Sequence, residues 1–509
     1  MKQKFKTLFI LLCFFAVSVA VRAPEISSSR YTANMWHVWM LTTLENWSDR
    51  GMADCHYAPI QTWNNPGDKF IDIYPRLVSA QGDNYYVSYP PFAFYFGYAA
   101  LKIFHLPMNG ASLYWINLLL HFITAFFVYY FIQLLTKRKW YELNLASLSG
   151  FLIYVFTPCS MLLHGQVFFP EMLSTVILVP LTILFYRIIT KEKFATTKIY
   201  FLFSILLFFL CYTEWIGVFT AFSFSLVCWL KRKSKPELLK LLPWIIIPFV
   251  LAISLTVIQY SSIAGFEKYA NALWQRFSSR TGYFGTHYSD EGVGIFNLSS
   301  YGSLITNLIY SFGLLLLLPE ILFAKNIIKN KFRSIKRNKF LLFILFAPAA
   351  FHFLAFTNLS FIHSHALAKW VFPLSVCTGL ILQSNFEKVK TVRSFYLLFG
   401  VVAINSLLPV IFSIKIDSLI PSKDLQYSDD SIRMQSEISP DDAVFIRERF
   451  SDFAFYCGYY LKRNIAVVKS KGEAFTKMRI GNKKNAILFY SSHHFVRLKI
   501  SSGKELTLP

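Results

Sequence analysis

The sequence predicts an α-helical polytopic membrane protein with about eleven transmembrane helices and a small C-terminal α/β domain outside the membrane. Three observations carry this. Of the 509 residues, 55% are hydrophobic and only 16% are charged, whereas soluble domains carry roughly a quarter charged residues. Apolar runs of about 17–25 residues, the length needed to cross a bilayer, recur as far as residue 414. Beyond residue 415 the pattern changes to short β-type runs alternating with helical ones.

The formal charge of +23 does not indicate nucleic-acid binding. The basic residues cluster in short loops between apolar runs, where membrane topology alone accounts for them. Of the seven cysteines, only Cys55 and Cys457 lie in polar segments. No disulfide framework and no Cys-based zinc motif is visible.

The chain begins with KQKFK (2–6) and an apolar run from Thr7 to Val21, read as an uncleaved first helix. A long polar loop, 22–110, follows. Further spans are expected at 111–135, 143–163, 168–189, 199–213, 215–230, 240–264, 303–323, 340–357, 366–384 and 395–414. Each should be helical, because backbone facing lipid must satisfy its own hydrogen bonds. Alternate loops are basic: Lys137-Arg138-Lys139, Arg187 to Lys198, KRKSKPELLK (231–240) and KNIIKNKFRSIKRNK (325–339). The intervening loops are poor in Lys and Arg. This alternation puts the N-terminus in the cytoplasm and the C-terminus outside, as in a multi-pass protein of a plasma or inner membrane.

Within the first loop, YPPFAFYFGYAALKIF (89–104) would break the alternation if it spanned. It reads instead as an amphipathic or re-entrant helix starting at Pro90-Pro91. The domains expected are therefore 1–414, including the outer loop 22–110, and an extracytoplasmic α/β domain at 415–509. In the latter, AVFI (443–446), IAVV (465–468), AILFY (486–490) and VRLKI (496–500) are the expected strands.

The outer segments concentrate the side chains able to do chemistry. The first loop supplies Arg30, His37, Glu45, His56 and Tyr89. A helix over about 33–50 brings His37 and Glu45 within about 80° of each other. Its Trp36, Met40 and Trp47 suggest that it rests on the membrane surface. The turn near 164–171 supplies His164, Gln166 and Glu171. Glu171 begins a span, where the helix dipole favours a carboxylate, and ionisable groups at membrane depth are costly and often functional. Glu214, in a tight turn between two short spans, has the same standing. The loop at 357–369 supplies His363, His365 and Lys369. Lys369, one turn into a span, calls for an anionic partner such as a lipid phosphate, or else snorkels to the interface. Arg276 and Arg280 lie in the 265–302 segment, which its glycines mark as a loop or lid. No nucleotide-binding glycine loop is present.

This arrangement resembles the C-type glycosyltransferase superfamily (GT-C), in particular the branch of protein O-mannosyltransferases and aminoarabinose transferases. The resemblance rests on the first apolar helix, the long outer loop ending in Tyr89-Pro90-Pro91-Phe92, and the following spans to about Phe185. The outer turn ending Phe169-Pro170-Glu171 looks like the family's second acidic position. The resemblance implies inverting transfer of a hexose, mannose-like, from a polyprenyl-phosphate donor to a lipid, glycan or protein acceptor at the cell envelope. Such an enzyme contacts membrane lipids and needs no nucleotide site; a divalent metal ion is the one cofactor it leaves open. Where the resemblance implies an acidic residue, 14 positions before Gly51, this chain has His37. A histidine can serve as the base, with Glu45 and Glu25 as alternatives. On this reading Glu171 positions the sugar or the base, and Lys369, His363 and His365 hold the donor phosphate, with Arg276 and Arg280 as further candidates. Two other classes compete. A flippase of lipid-linked saccharides requires ionisable residues deep in several spans, which the sequence does not make evident. A non-catalytic scaffold would tolerate loss of His37, Glu45 and Glu171 together.

Overall fold

The computed structural model describes residues 2–26, 35–65, 68–69, 77–166, 168–190, 196–283, 294–313, 333–386, 400, 431, 434–435, 437–447, 457–491, 494–501 and 504–508. Two compact units are present: Met1–Pro24, Tyr114–Thr256 and Trp274–Ser413 form the first, and Glu25–Leu113, Val257–Leu273 and Ile414–Pro509 the second.

The first unit is helical. Its elements include α1 (Lys2–Ile26) and α4 (Gly110–Leu135). In the second unit lie α2 (Met35–Arg50) and α3 (Phe92–Ile103). The helices α5 (Leu145–Phe156), α6 (Pro158–Gln166), α7 (Pro170–Thr190), α8 (Thr197–Cys211) and α9 (Ile216–Leu230) follow α4 in the first unit. Among the described residues, four stretches are long and apolar enough to cross a membrane: Lys2–Arg22, Gly110–Leu135, Pro170–Thr190 and Pro236–Ala264. The expected span at 143–163 is broken into α5 and α6, which meet at 60°. Pro158 explains the break: Thr157 before it is extended (ψ 130°), as a residue preceding proline prefers. Helices α8 and α9 lie where the two short spans 199–213 and 215–230 were expected. Each has 15 residues, about 22 Å of helix, which is short for a span. The described residues thus contain fewer full-length spans than the eleven expected; all of the predicted span at 395–414 but residue 400, and 314–323 of the one at 303–323, lie outside them.

Glycine permits a close helix crossing. A Cβ on Gly379, in the Val371–Phe386 helix, would stand 2.5 Å from the Ala146 carbonyl oxygen of α5. At the start of α5, Asn144 caps the helix by accepting from the Ser147 N–H at 2.9 Å.

In the second unit, α2 does not present Met40 and Trp47 to a membrane surface as expected. Both are buried within the protein. The Trp47 indole donates to the Ala58 carbonyl (3.2 Å) and stacks on Tyr95 of α3 with centroids 5.3 Å apart. The loop folds back on its own aromatic residues, removing more apolar area from water than one face of a helix could. The helix expected within 89–104 is present as α3, with Pro91 as its N-cap. Helices α10 (Leu242–Ala264), α11 (Phe266–Thr281) and α12 (Leu298–Phe312) come next in the chain. The last turns of α10 join this unit, where the Tyr260 hydroxyl meets the Tyr86 (3.0 Å) and Tyr89 (3.1 Å) carbonyls.

The strands number β1 (Leu77–Val78) and β2 (Asn84–Tyr85), a small antiparallel pair, then β3 (Ala443–Arg447), β4 (Ile465–Val468), β5 (Asn485–Ser491), β6 (His494–Ser501) and β7 (Lys504–Leu508). The last five form one sheet in the order β4-β3-β5-β6-β7, and the Lys471–Ile480 helix connects β4 to β5. β4, β3 and β5 run parallel, and β6 and β7 are antiparallel. All four expected strands are present, and β7 is additional.

Candidate active site

The first unit encloses a cluster of ionisable groups built from four separate elements. Glu171 sits in the first turn of α7 and is 1% exposed. Glu214 lies in the turn between α8 and α9 and is fully buried. That turn is tight because Gly217 approaches the backbone of Cys211: a Cβ there would stand 2.5 Å from the Cys211 nitrogen. His352 is in the last turn of the Arg333–Ala355 helix. Lys369 belongs to a 3-10 helical turn, Ser364–Trp370, rather than to the first turn of an α-helical span as expected.

The side chains converge on one carboxylate. His352 Nε2 donates to Glu214 Oε1 at 2.9 Å, and Lys369 Nζ stands 3.4 Å from the same oxygen. Glu171 adds its negative charge to the field at both Glu214 and His352. Phe219 and Phe356 set their ring edges against His352, with centroids 5.8 and 5.1 Å away. In so apolar a setting, charges interact far more strongly than in water. The anion that Lys369 calls for is thus present in the protein itself. Even so, Lys369 Nζ makes no hydrogen bond among the described residues. It is a buried cation with donor capacity to spare.

A second polar cluster joins α1, α4 and α6. The rings of His121 and His164 stack in parallel with centroids 4.5 Å apart. His121 Nδ1 faces Arg22 Nη1 at 3.4 Å, and its Nε2 pairs with Ser160 Oγ at 3.1 Å. His164 Nε2 pairs with the Tyr154 hydroxyl at 3.2 Å. Arg22 donates to Ser18 Oγ at 2.6 Å. His164, expected as an outer-turn residue, is therefore buried at the end of a bent helix. Sequence reasoning singled out neither Arg22, His121 nor His352; the signal available was an ionisable residue inside an apolar run.

In the second unit, α2 carries His37 and Glu45 as expected. Glu45 accepts from the Tyr459 hydroxyl at 2.9 Å and is ion-paired with Lys462. Nearby, Arg463 forms a two-pronged pair with Asp68 at 3.0 and 3.1 Å, and Asn464 bonds both the N–H (2.8 Å) and the carbonyl (3.0 Å) of Trp63. Residues 462–464 therefore fasten the C-terminal domain to the first loop. Asp83 receives Arg50 at 2.8 Å and Lys69 at 3.0 Å. Burial would raise its pKa, but hydrogen bonds from Arg50 and Lys69 outweigh that and hold it below the ordinary carboxylate value. His56 is half-buried at a positive φ of 52°, its ring edge-on to Tyr85. Tyr89 is buried.

The remaining candidates fall as follows. Arg276 and Arg280 are on the helix α11, not on a loop, a correction that follows from the amphipathic spacing of FEKYANALWQRFSSRT. His363 caps the 3-10 turn through its backbone. His37, Gln166 and His365 lie on described backbone, but their side chains are outside the described residues, as is Arg30 altogether. Among the described residues no three His, Cys, Asp or Glu side chains gather as metal ligands.

No protein-family model and no curated protein sequence matches this chain. Solved structures do. The oligosaccharyltransferase of Archaeoglobus fulgidus, complexed with zinc and sulfate, superposes with a TM-score of 0.56 at 13% identity, covering 94% of this chain and 67% of its own. The AglB oligosaccharyltransferase of Archaeoglobus fulgidus, with an inhibitory peptide and dolichol-phosphate, gives 0.54 at 14%, covering 95% and 69%. Apo ArnT of Cupriavidus metallidurans gives 0.52 at 12%, covering 94% and 93%. These neighbours are membrane glycosyltransferases, and identity this low speaks to architecture only. The chain has the fold of the GT-C membrane glycosyltransferases.

Proposed function

We propose that this protein is an inverting glycosyltransferase that moves a sugar from a polyprenyl-phosphate donor to an acceptor hydroxyl on the outer face of the membrane. The observation that carries the reading is Lys369: a buried lysine beside Glu214 that makes no hydrogen bond among the described residues, in a GT-C fold. A solved neighbour holds dolichol-phosphate, which makes a lipid phosphate a fitting anion for that lysine.

In the proposed reaction the acceptor oxygen attacks the anomeric carbon and the bond from that carbon to the phosphate oxygen breaks. The electron pair leaves with the lipid phosphate, whose charge Lys369 stabilises, as cations do for departing anions. The acceptor proton passes to a general base. Glu171 orients the sugar from the first turn of α7. His352 keeps Glu214 in place while Lys369 turns to the phosphate. A mannose-like hexose and an envelope glycan or lipid acceptor complete the reading.

One observation favours the flippase. Arg22, His121, His164, His352 and Lys369 are all buried within the helical unit, whereas the sequence did not make such residues evident. The two readings separate in proteoliposomes given a polyprenyl-phosphate sugar and an acceptor. A transferase yields glycosylated acceptor and free lipid phosphate, and Lys369→Ala abolishes both. A flippase moves the intact lipid between leaflets and makes neither.

A further inference from the structure

One end of the C-terminal sheet carries a concentrated positive charge. The strand directions define that end. β3, β4 and β5 begin there, β6 finishes there at Ser501, and β7 starts there opposite it at Lys504. The Lys471–Ile480 helix returns from the far end of β4 to the start of β5, so its C-terminus lies at the same end. A hydrogen bond from the Ile500 N–H to the Lys484 carbonyl (2.8 Å) and an Arg479–Glu505 ion pair (2.6 Å) hold these ends together.

The basic residues gathered there are Lys477, Arg479, Lys483, Lys484, Lys499 and Lys504. Glu505, paired with Arg479, and Asp441 and Asp442, which lead into β3, are the acidic residues beside them among the described residues. Among the cations Ile480 is 73% exposed, and Leu506 nearby is 42% exposed. Lys462, Arg463 and Asn464, which fasten the domain to the first loop, precede β4 at this same end. The charged end therefore faces the side of the domain on which the loop helix α2 lies.

We propose that this end is a docking surface for anionic phospholipid headgroups of the protein's own membrane. Exposed apolar side chains ringed by lysines are the pattern of interfacial binding: the apolar groups enter the headgroup boundary while the cations collect anionic lipid. Five of the six cations are lysines. Their flexible stems and point charges suit a fluid array of headgroups, whereas a fixed carboxylate or phosphate would favour the arginine fork. The role is independent of the sugar-transfer reading. It makes the C-terminal domain a second, lipid-sensitive attachment for the loop to which it is fastened.

Hydrogen–deuterium exchange on the full-length protein tests this. The protein is placed in nanodiscs of phosphatidylcholine alone, or of phosphatidylcholine with phosphatidylglycerol. The proposal expects amides of 479–484 and 499–501 to exchange several-fold more slowly in the anionic discs. The difference should vanish at high salt and in Lys483→Glu/Lys484→Glu, while amides of 469–473 at the opposite end stay unchanged. Amides of β3 and β5 report that the variant remains folded. Equal exchange in the two discs overturns the proposal. So does protection that appears only when soluble dextran sulfate is added, which would assign the surface to an anionic glycan.

Discussion

Lys369 Nζ stands 3.4 Å from Glu214 Oε1, and the two side chains are 1% and 0% exposed. The pair joins a turn between two short helices to a 3-10 turn, so it bears both on how the helices are held and on what the cation can bind. Removing one member of a buried pair leaves an uncompensated charge, at a cost of about 3–5 kcal/mol. Glu214→Gln keeps the shape and deletes the charge. It should lower the thermal unfolding midpoint in detergent by several degrees. Glu214→Gln/Lys369→Met should recover part of that loss, because adjacent charges couple. Strictly additive losses would show that the pair contributes no coupling.

Activity should separate from stability at Lys369. Lys369→Arg keeps the positive charge and Lys369→Ala removes it. Losing one stabilising group for a departing anion costs on the order of 10²–10³ in rate. Lys369→Ala should show such a loss in a transfer assay, with unfolding monitored alongside, and Lys369→Arg should retain more of the activity. Equal activity in both variants would remove Lys369 from the phosphate role.

The fastening of the C-terminal domain should depend on two neighbouring cations unequally. Arg463 meets Asp68 with two hydrogen bonds, its side chain 10% exposed against 0% for Asp68. Lys462 meets Glu45 with its own side chain 48% exposed. Solvent screens the second pair, which is worth about 0–1 kcal/mol. Arg463→Ala should therefore open the 437–508 region to limited proteolysis, and Lys462→Ala should leave it nearly as resistant as wild type. The reverse order would contradict this account of the contact.

Asp83 supplies a pH dependence. Its pKa is held below the ordinary value by Arg50 and Lys69, so the folded state binds its proton less readily than the unfolded chain does. The stability this contributes is present above the unfolded carboxyl value, about 3.9. It is lost as pH falls through the lower folded value. Between pH 7 and pH 4 the wild type should keep this contribution, and Asp83→Asn should be the less stable of the two at both values. Once pH falls below that lowered folded value the two unfolding curves should converge. A constant gap down to pH 2 would assign the effect to packing instead.

Much of the fold was legible because its signals are periodic or compositional. Apolar runs marked the helices, alternating short runs marked β3 to β6, and Pro90-Pro91 marked the start of α3. The break in the 143–163 span was carried by one residue, Pro158, inside an otherwise continuous run. The candidate site was legible only residue by residue. Glu171 and Lys369 stand out against apolar neighbours, but their convergence with Glu214 and His352 is a tertiary fact spread over residues 171–369. Glu45 read as a free loop acid because its partners, Tyr459 and Lys462, lie more than 400 positions away. No local pattern predicts a contact over that separation.

The central claim is that a buried cation in a GT-C fold serves sugar transfer from a lipid phosphate. The most direct measurement is mass spectrometry of envelope glycolipids, polysaccharides and glycoproteins from cells with the protein, without it, and with His37→Ala, Glu171→Gln or Lys369→Ala at matched protein levels. The account predicts a single sugar mass missing on deletion and missing again in at least Lys369→Ala. Loss of that sugar on deletion alone, with all three point variants normal, would contradict it.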